Sequence, residues 1–133
     1  MTIKVGDVFS AERTFTTEDV AAFTRLSGDH GRHHLQPDAQ GRLVAHGLLT
    51  ATLPTTIGGR LNFLAREMVF DFRRPVYSGD TIRCVGTVTR ADHEPGRLRA
   101  AMEFECKNQN GEVVLRGSTH GVILLGENVL DSA

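Results

Sequence analysis

The segment Gly47-Leu48-Leu49-Thr50-Ala51-Thr52-Leu53-Pro54-Thr55-Thr56-Ile57-Gly58-Gly59 decides how the rest of this chain is organised. Its apolar residues fall on more than one side of a helix, which favours a helix buried within a sheet over one that lies on a surface. Pro54 lacks an N–H and therefore predicts a kink or a shortened helix, and Gly58-Gly59 predicts the end of the helix.

Strand patterns occupy the sequence after this helix. From Leu61 onward, apolar and polar residues alternate with a period of two, most regularly over residues 98–107. Turn residues divide the strands at Ser78-Gly79-Asp80, Glu94-Pro95-Gly96 and Asn108-Gln109-Asn110-Gly111. A further strand is predicted over residues 8–15. One buried helix followed by long antiparallel strands predicts an α+β fold, in which a curved antiparallel sheet wraps around the central, mostly apolar helix.

A shorter helix is predicted ahead of the central one. Thr16 can cap the free N–H groups at its start, and the acidic residues that follow favour the positive end of the helix dipole. Gly28 is expected to end this helix in the left-handed conformation. Asp29 therefore follows the helix directly, and residues 29–45 are predicted to form a loop that can aim its side chain.

Composition is typical of a soluble globular protein with a single domain, residues 1–133. Hydrophobic residues make up 40% and charged residues 23%, and the formal net charge of -1 gives no field that would recruit nucleic acid or an acidic membrane. The sequence has no run of ~20 apolar residues that would predict a membrane span. Its first residues contain no apolar signal core, so the expected location is cytoplasmic. Cys84 and Cys106 are expected to be small buried side chains rather than a disulfide.

An acid and a base occur together in the segment Ser27-Gly28-Asp29-His30-Gly31-Arg32-His33-His34. Asp29 and His34 can together hold and deprotonate a water molecule, which suits the addition of water to an activated acyl group or its removal. His33 competes with His34 as the base, because neighbours in an extended loop point in opposite directions. The alternative for the pair is a turn aspartate with a surface histidine.

Gly47 supplies a third part of the predicted site. The N–H at the start of a helix lies in the positive field of the helix dipole, so it can bind a carbonyl on which negative charge develops. The alternative is ordinary close packing of the helix on the sheet. His46 is expected to hold the loop by a hydrogen bond. Thr55 follows Gly47 by about two helical turns, so its hydroxyl could position water or substrate in the same cleft, or could bond a carbonyl that Pro54 leaves free.

The histidines raise the question of a metal. His30, His33 and His34 with Asp29 could ligate zinc or iron, but their spacing fits no standard motif and no cysteine joins them, so no metal is expected. Several arginines could meet the phosphates of an anionic carrier, and Arg32 falls within the predicted site. These arginines are Arg32, Arg42, Arg60, Arg73 and Arg74.

With these motifs the chain resembles the MaoC-like family, the (R)-specific enoyl-CoA hydratases and related dehydratases of the hot-dog fold. The family signature reads Ser/Gly-x-Asp-x-Asn-Pro-x-His, followed by a loop, a His-Gly pair and an apolar helix. Asp29 and His34 match its catalytic acid and base, and Gly47 matches the glycine whose amide binds the oxyanion. Thr55 falls where these enzymes often carry a small hydroxyl residue. The segment Phe72-Arg73-Arg74-Pro75-Val76-Tyr77-Ser78-Gly79-Asp80 resembles the family's Phe-x-x-Pro-Val-x-x-Gly-Asp.

The resemblance implies a reaction and a mode of assembly. A trans-2-enoyl thioester and water would give an (R)-3-hydroxyacyl thioester, reversibly, with the water between Asp29 and His34 and the thioester carbonyl on the Gly47 N–H. No metal or redox cofactor is expected, since coenzyme A or an acyl-carrier arm would be part of the substrate. Because hot-dog proteins generally join their sheets edge to edge, a homodimer or a dimer of dimers is expected.

One departure from the family pattern leaves other functions open. Gly31-Arg32 stands where the family has Asn-Pro, which adds backbone freedom, removes a rigid kink and brings a positive charge to the site. The alternatives are an acyl-CoA thioesterase on the same fold and a non-catalytic acyl-thioester-binding subunit. The spacing of Asp29 and His34 favours the hydratase over the thioesterase, and the presence of both with Gly47 argues against a non-catalytic subunit.

Overall fold

A five-stranded antiparallel sheet is the main element of the computed structural model, which describes residues 2–125. The strands lie in the order β1-β3-β4-β5-β2, so β1 and β2 form its edges. In chain order the elements are β1 Val8–Thr14, α1 Thr17–Ser27, α2 Arg32–Leu35, α3 Gly47–Thr50, α4 Thr52–Arg60, β2 Phe63–Phe72, β3 Thr81–Glu94, β4 Arg97–Lys107 and β5 Val113–Leu124. The predicted α+β architecture is confirmed. The prediction of a single domain over residues 1–133 also covers residues 1 and 126–133, which lie outside the described residues, and it stays a prediction.

The predicted central helix is divided into α3 and α4, which meet at Ala51. Pro54 lies in the first turn of α4, where a missing N–H costs no helical hydrogen bond, so the predicted interruption near Pro54 is confirmed. Ile57 is buried, and α4 contacts β1, β2 and β3. The predicted end at Gly58-Gly59 differs slightly, because α4 continues to Arg60 and the Arg60 guanidinium donates a hydrogen bond to the Ser10 carbonyl at 2.6 Å.

The alternation in β3 and β4 gives a buried face, as predicted. The buried side chains of this face are Ile82, Cys84, Val88, Leu98, Ala100, Met102, Phe104 and Cys106. Cys84 and Cys106 lie directly opposite each other in the β3–β4 register and are free, fully buried thiols. The hydrogen bond with Cys84, together with burial, raises the pKa of the Cys106 thiol above its ordinary range. Both cysteines are therefore the small core side chains that the sequence predicts.

Strand β2 is more exposed than β3 and β4. Only Phe63 and Phe70 are partly buried, and the other side chains of the strand are exposed. The reason is its position at the sheet edge, with β5 as its one described neighbour. The register also shifts between Ala65 and Glu67, which is a β-bulge of the kind that is common at sheet edges.

Helix α1 begins and ends as predicted. The Thr16 hydroxyl accepts a hydrogen bond from the Asp19 N–H, and the Asp19 carboxylate accepts one from the Thr16 N–H. Gly28 ends the helix in the left-handed conformation at φ 74°. The following loop contains the short helix α2, which the sequence did not predict. Within residues 2–125, none of the helices is long and apolar enough to cross a membrane.

Candidate active site

Asp29 is held at the end of α1 by local hydrogen bonds. Its N–H donates to Ser27 Oγ at 3.0 Å, and its Oδ1 accepts from the Gly31 N–H at 3.1 Å. The bond from Gly31 lowers the pKa of the Asp29 carboxyl below its usual value, and the nearby histidines act in the same direction. About half of the side chain is exposed, so Asp29 is a carboxylate at the surface of a cleft, held in a fixed turn.

His34 lies opposite Asp29 and is buried, with 6% of its surface exposed. Its Nδ1 is 2.7 Å from the carbonyl oxygen of Val44. Because a carbonyl only accepts, Nδ1 carries a hydrogen, and the neutral ring presents its Nε2 lone pair on the other side. Nε2 is 3.5 Å from Asp29 Oδ2. This distance is long for a direct hydrogen bond, so the facing atoms can share a water molecule or a substrate hydroxyl.

His46 touches both members of this pair. Its Nε2 lies 3.2 Å from the Asp29 backbone carbonyl and 3.2 Å from Thr24 Oγ1. Thr24 Oγ1 donates its own hydrogen to the Val20 carbonyl, so both neighbours of Nε2 accept and Nε2 is the protonated nitrogen. The His46 ring stacks on the His34 ring, with centroids 3.7 Å apart and planes 17° apart. Burial lowers the pKa of His46, which keeps the ring neutral.

Gly47 begins α3 directly after His46. Its N–H has no acceptor among residues 2–125, as expected for the first residue of a helix. The ring of Phe72, at the end of β2, lies against it: a Cβ atom at position 47 would be 2.7 Å from Phe72 Cε1. A larger residue at position 47 would have to push this ring aside, so the close approach favours glycine.

These groups line one open cleft of about 680 Å³. The predicted residues Asp29, His34, His46 and Gly47 come together here, and His33 lines the cleft as an exposed side chain. Of the two candidate bases, His33 and His34, it is His34 whose ring is buried and faces Asp29. From the predicted arginines, Arg73 and Arg74 line the same cleft. Other lining residues include Phe23, Leu48, Thr50, Phe72, Val76 and Val114.

Other predicted site residues lie elsewhere. Thr55 lines a separate apolar cavity of about 190 Å³, and its hydroxyl donates to the Ala51 carbonyl at 3.0 Å. Thr55 does not line the cleft of Gly47. Arg32 is exposed and does not line the cleft. Arg42 pairs with Asp38 and lies over the Tyr77 ring, away from the site.

A metal could be considered at Asp29, His34 and His46, whose ligand atoms lie within 4.8 Å of one another. The sequence instead suggested His30 and His33 as companions of Asp29 and His34. A metal ion bound by imidazole lies close to the ring plane, about 2 Å from the nitrogen. The stacked, nearly parallel rings of His34 and His46 cannot both place one ion in their planes. The group fits a proton-transfer site better than a metal centre.

Sequence reasoning missed the groups that support the site from a distance along the chain. The Val44 carbonyl fixes the His34 tautomer, and Thr24 shares the His46 proton. The sequence does not indicate which backbone carbonyl a side chain will bind, and Thr24 is not distinguished in the sequence from the other residues of its helix. Phe72 stands out in the sequence because it begins the Phe-x-x-Pro-Val segment. The sequence does not indicate, however, that its ring packs on Gly47.

Comparisons with known proteins find relatives in sequence and in fold. No protein-family model matches the chain. A mitochondrial 3-hydroxyacyl-[acyl-carrier-protein] dehydratase of Arabidopsis thaliana is 28% identical over 130 residues, with 91% of this chain and 78% of the relative covered. The solved structure of an (R)-hydratase from A. caviae involved in PHA biosynthesis is 26% identical, with a TM-score of 0.80 over 92% of this chain and 98% of that one. A MaoC-like dehydratase from Rhodospirillum rubrum, 24% identical, has the same fold, with a TM-score of 0.72 over 92% of this chain and 93% of its own.

Proposed function

We propose that this chain is a member of the MaoC-like family of the hot-dog fold and catalyses the reversible (R)-specific addition of water to trans-2-enoyl thioesters. The observation that carries the proposal is the placement of the Asp29 carboxylate 3.5 Å from His34 Nε2, in the cleft that Gly47 also lines. A base, a carboxylate and an unpaired amide in one cleft match the needs of this reaction. The similar proteins named as an (R)-hydratase and a dehydratase support the same chemistry.

The reacting water is assigned to the space between Asp29 and His34. Nε2 of the neutral His34 ring has the lone pair that can take a proton from this water, because Nδ1–H is bound to Val44. The Asp29 carboxylate accepts the second water hydrogen and orients the oxygen. Its lowered pKa keeps it ionised, so it also stabilises the imidazolium that forms on His34.

The steps balance without a further reactant. The water oxygen bonds to C3 while His34 takes the proton, and the electron pair of the C2–C3 double bond moves toward the thioester oxygen. The Gly47 N–H would donate to that oxygen, and removing a donor of this kind typically costs about 3–4 kcal/mol of transition-state stabilisation. The enolate then returns its electron pair to C2, which takes the proton from the imidazolium. The reverse sequence is the dehydration.

The substrate would be held in the cleft at the start of α3. The apolar side chains of Phe23, Leu48 and Phe72, which line this cleft, suit the acyl chain because they can bury hydrocarbon. Arg73 and Arg74 at the cleft would meet the phosphates of coenzyme A or of an acyl-carrier arm. The carrier is part of the substrate, and this chemistry needs neither a metal nor a redox cofactor.

A homodimer, or a dimer of dimers, is part of the proposal. Strand β2 is a ten-residue edge strand with exposed Leu64, Met68, Val69 and Phe72. A long apolar edge of this kind pairs readily with another strand. Pairing with the β2 strand of a second copy would extend the sheet and cover these side chains.

The test is a turnover assay with purified protein. Short and medium trans-2-enoyl-CoAs, and the same acyl groups on an acyl carrier protein, are offered while the absorbance of the conjugated thioester is followed. A thiol reagent reports on a parallel sample. We expect loss of absorbance without thiol release, and an (R)-3-hydroxyacyl product on chiral analysis.

Other outcomes would contradict the proposal. Thiol release would identify a thioesterase, and an (S)-product would contradict the stereochemistry. Binding of the thioesters without turnover on either carrier would identify a non-catalytic acyl-thioester-binding subunit.

A further inference from the structure

We propose that His46 is a positioning residue that fixes the relative placement of Asp29, His34 and the Gly47 amide, a role that rests on the proposed hydratase function. His46 is buried, with 2% of its surface exposed, and it would not touch the reacting atoms. It is connected to each of the other three groups by a different kind of contact.

The first connection is a hydrogen bond to the loop that carries the acid. The Nε2–H of His46 is shared between the Asp29 backbone carbonyl and Thr24 Oγ1, each at 3.2 Å. Thr24 lies in α1, so the bond ties the loop to a helix that has capped ends. The other bonds of Asp29 are local turn contacts to Ser27 and Gly31. The bond from His46 is the one that sets the distance of this turn from the base.

The second connection is the stack with the base. The rings of His46 and His34 lie 3.7 Å apart and nearly parallel, and Phe23 packs against His46 with ring centroids 4.9 Å apart. The hydrogen bond from Nδ1 of His34 to Val44 fixes one edge of that ring. The stack fixes its plane, and with it the direction of the Nε2 lone pair toward Asp29.

The third connection is covalent, because His46 precedes Gly47 and is the N-cap of α3. The His46 carbonyl accepts from the Leu49 N–H at 3.0 Å and from the Thr50 N–H at 3.2 Å, so its peptide is held in the first helical turn. The direction of the Gly47 N–H is therefore coupled to the His46 backbone. A shift of His46 would move the amide and the acid–base pair relative to each other.

The role requires His46 to remain neutral while His34 cycles through its charged form. Nδ1 of His46 is buried and has no hydrogen-bond partner among residues 2–125. Protonation would place an N–H there without an acceptor, which is costly in a buried position. Burial lowers the pKa of His46 in agreement with this geometry. A neutral ring supports His34 without repelling its imidazolium form.

The test separates the hydrogen bond from the stack. His46→Gln keeps a side-chain N–H for the Asp29 carbonyl but removes the ring, and His46→Phe keeps a ring but removes the N–H. We expect His46→Phe to lower kcat by about 10²-fold, as displacement of a reacting group by about 1 Å does, with little change in KM. His46→Gln should lower kcat much less than His46→Phe does. Thr56→Val, at an exposed threonine whose hydroxyl donates to the Thr52 carbonyl within α4, is the matched control and should retain the activity.

A second readout does not depend on turnover. The ring-proton NMR shifts of His34 report the stacked neighbour through its ring current, and we expect this contribution to disappear in His46→Gln and to persist in His46→Phe. Unchanged shifts in His46→Gln, or full kcat in a folded His46→Phe, would overturn the positioning role. If the wild-type protein is inactive on enoyl thioesters, the proposed function fails, and the His34 shifts still decide whether His46 places the ring.

Discussion

The ring of Phe72 lies so close to Gly47 that a Cβ atom at position 47 would be 2.7 Å from Phe72 Cε1. Phe72 is the last residue of β2, and Gly47 is the first residue of α3. The contact therefore joins the edge strand to the start of the central helix. It places an aromatic ring beside the Gly47 N–H, which has no acceptor among residues 2–125, so the residue type at position 47 and the position of β2 depend on each other.

The contact predicts that Gly47→Ala damages both stability and function. The added methyl group meets the Phe72 ring, and overpacking of this kind costs about 1–3 kcal/mol of unfolding free energy. The N–H would also be displaced, so kcat should fall. Denaturant unfolding and the enoyl-thioester assay measure the two effects. The double variant with Phe72→Leu should recover part of the lost stability, and strictly additive losses would contradict the contact.

The acid–base pair predicts that Asp29→Asn and His34→Ala each lower kcat by about 10²–10⁴-fold, the range typical of a proton-transfer group. The fold should survive in Asp29→Asn, because an amide oxygen can still accept from the Gly31 N–H. Steady-state assays and thermal melts make the measurement. His30→Ala, an exposed neighbour, is the control and should remain active. Near-wild-type turnover in both site variants would show that this cleft is not the active site.

Because the His46 ring is buried, we expect it to make the free energy of unfolding decrease as the pH falls. Its pKa in the folded protein is lowered from the ordinary value of 6.5, chiefly by burial. The unfolded chain therefore binds a proton at His46 before the folded protein does. Stability from the neutral ring is full above the ordinary pKa and is lost as the pH falls from there toward the folded-state pKa.

Urea unfolding at several pH values measures this component. We expect the unfolding free energy of the wild-type protein to fall more steeply on acidification than that of His46→Gln, which cannot titrate at this position. Parallel curves for the two proteins would show that His46 has the same pKa in the folded and unfolded states.

Gly31 predicts a separation of stability from activity. It has φ -51° and ψ 138°, which alanine adopts readily, so Gly31→Ala should leave stability unchanged or raise it by about 0.5 kcal/mol. A Cβ there would lie 3.0 Å from His33 Cε1, 3.2 Å from His34 Cδ2 and 3.3 Å from Asp29 Oδ1. The neighbouring side chains must then give way by a few tenths of an ångström, which shifts Asp29 and His34, so we expect kcat to fall severalfold.

Gly59→Ala is the matched control for this prediction. Position 59 lies in α4 with open space around an added Cβ, so alanine should raise the unfolding free energy by about 0.5–1 kcal/mol through its helix propensity. Activity should be unaffected. Wild-type kcat in Gly31→Ala would show that the site tolerates a shift of Asp29 and His34.

The exposed apolar edge predicts that a charge on β2 weakens self-association. Val69→Lys places an ammonium group on this edge strand, where 51% of the valine surface is exposed. Sedimentation velocity should show a shift from dimer to monomer. Val8→Lys changes a valine that is 60% exposed on β1, the opposite edge of the sheet, and should leave the assembly intact. A reversed result would assign the interface to β1.

Much of the architecture could be predicted from the sequence because the signals are local. The capping residues of α1, the stop at Gly28, the turns and the alternation in β4 depend on a few neighbouring residues each, and all are confirmed. The exposure of β2 could not be predicted in this way. Burial depends on what lies beside the strand, and β2 lies at the sheet edge.

Short stretches of the sequence indicate the candidate chemistry, since Asp29, His34 and the His46-Gly47 pair are present at recognisable spacings. The tertiary structure decided how these residues are used. It buried the His34 ring and left His33 exposed, brought His46 onto Asp29 and His34, and placed Thr55 in a different cavity. The physical reason is that local backbone conformation depends on a few neighbouring residues, which a short segment of sequence contains. Ring stacking, tautomer and burial depend instead on contacts between distant segments, which come together only when the sheet and helices pack.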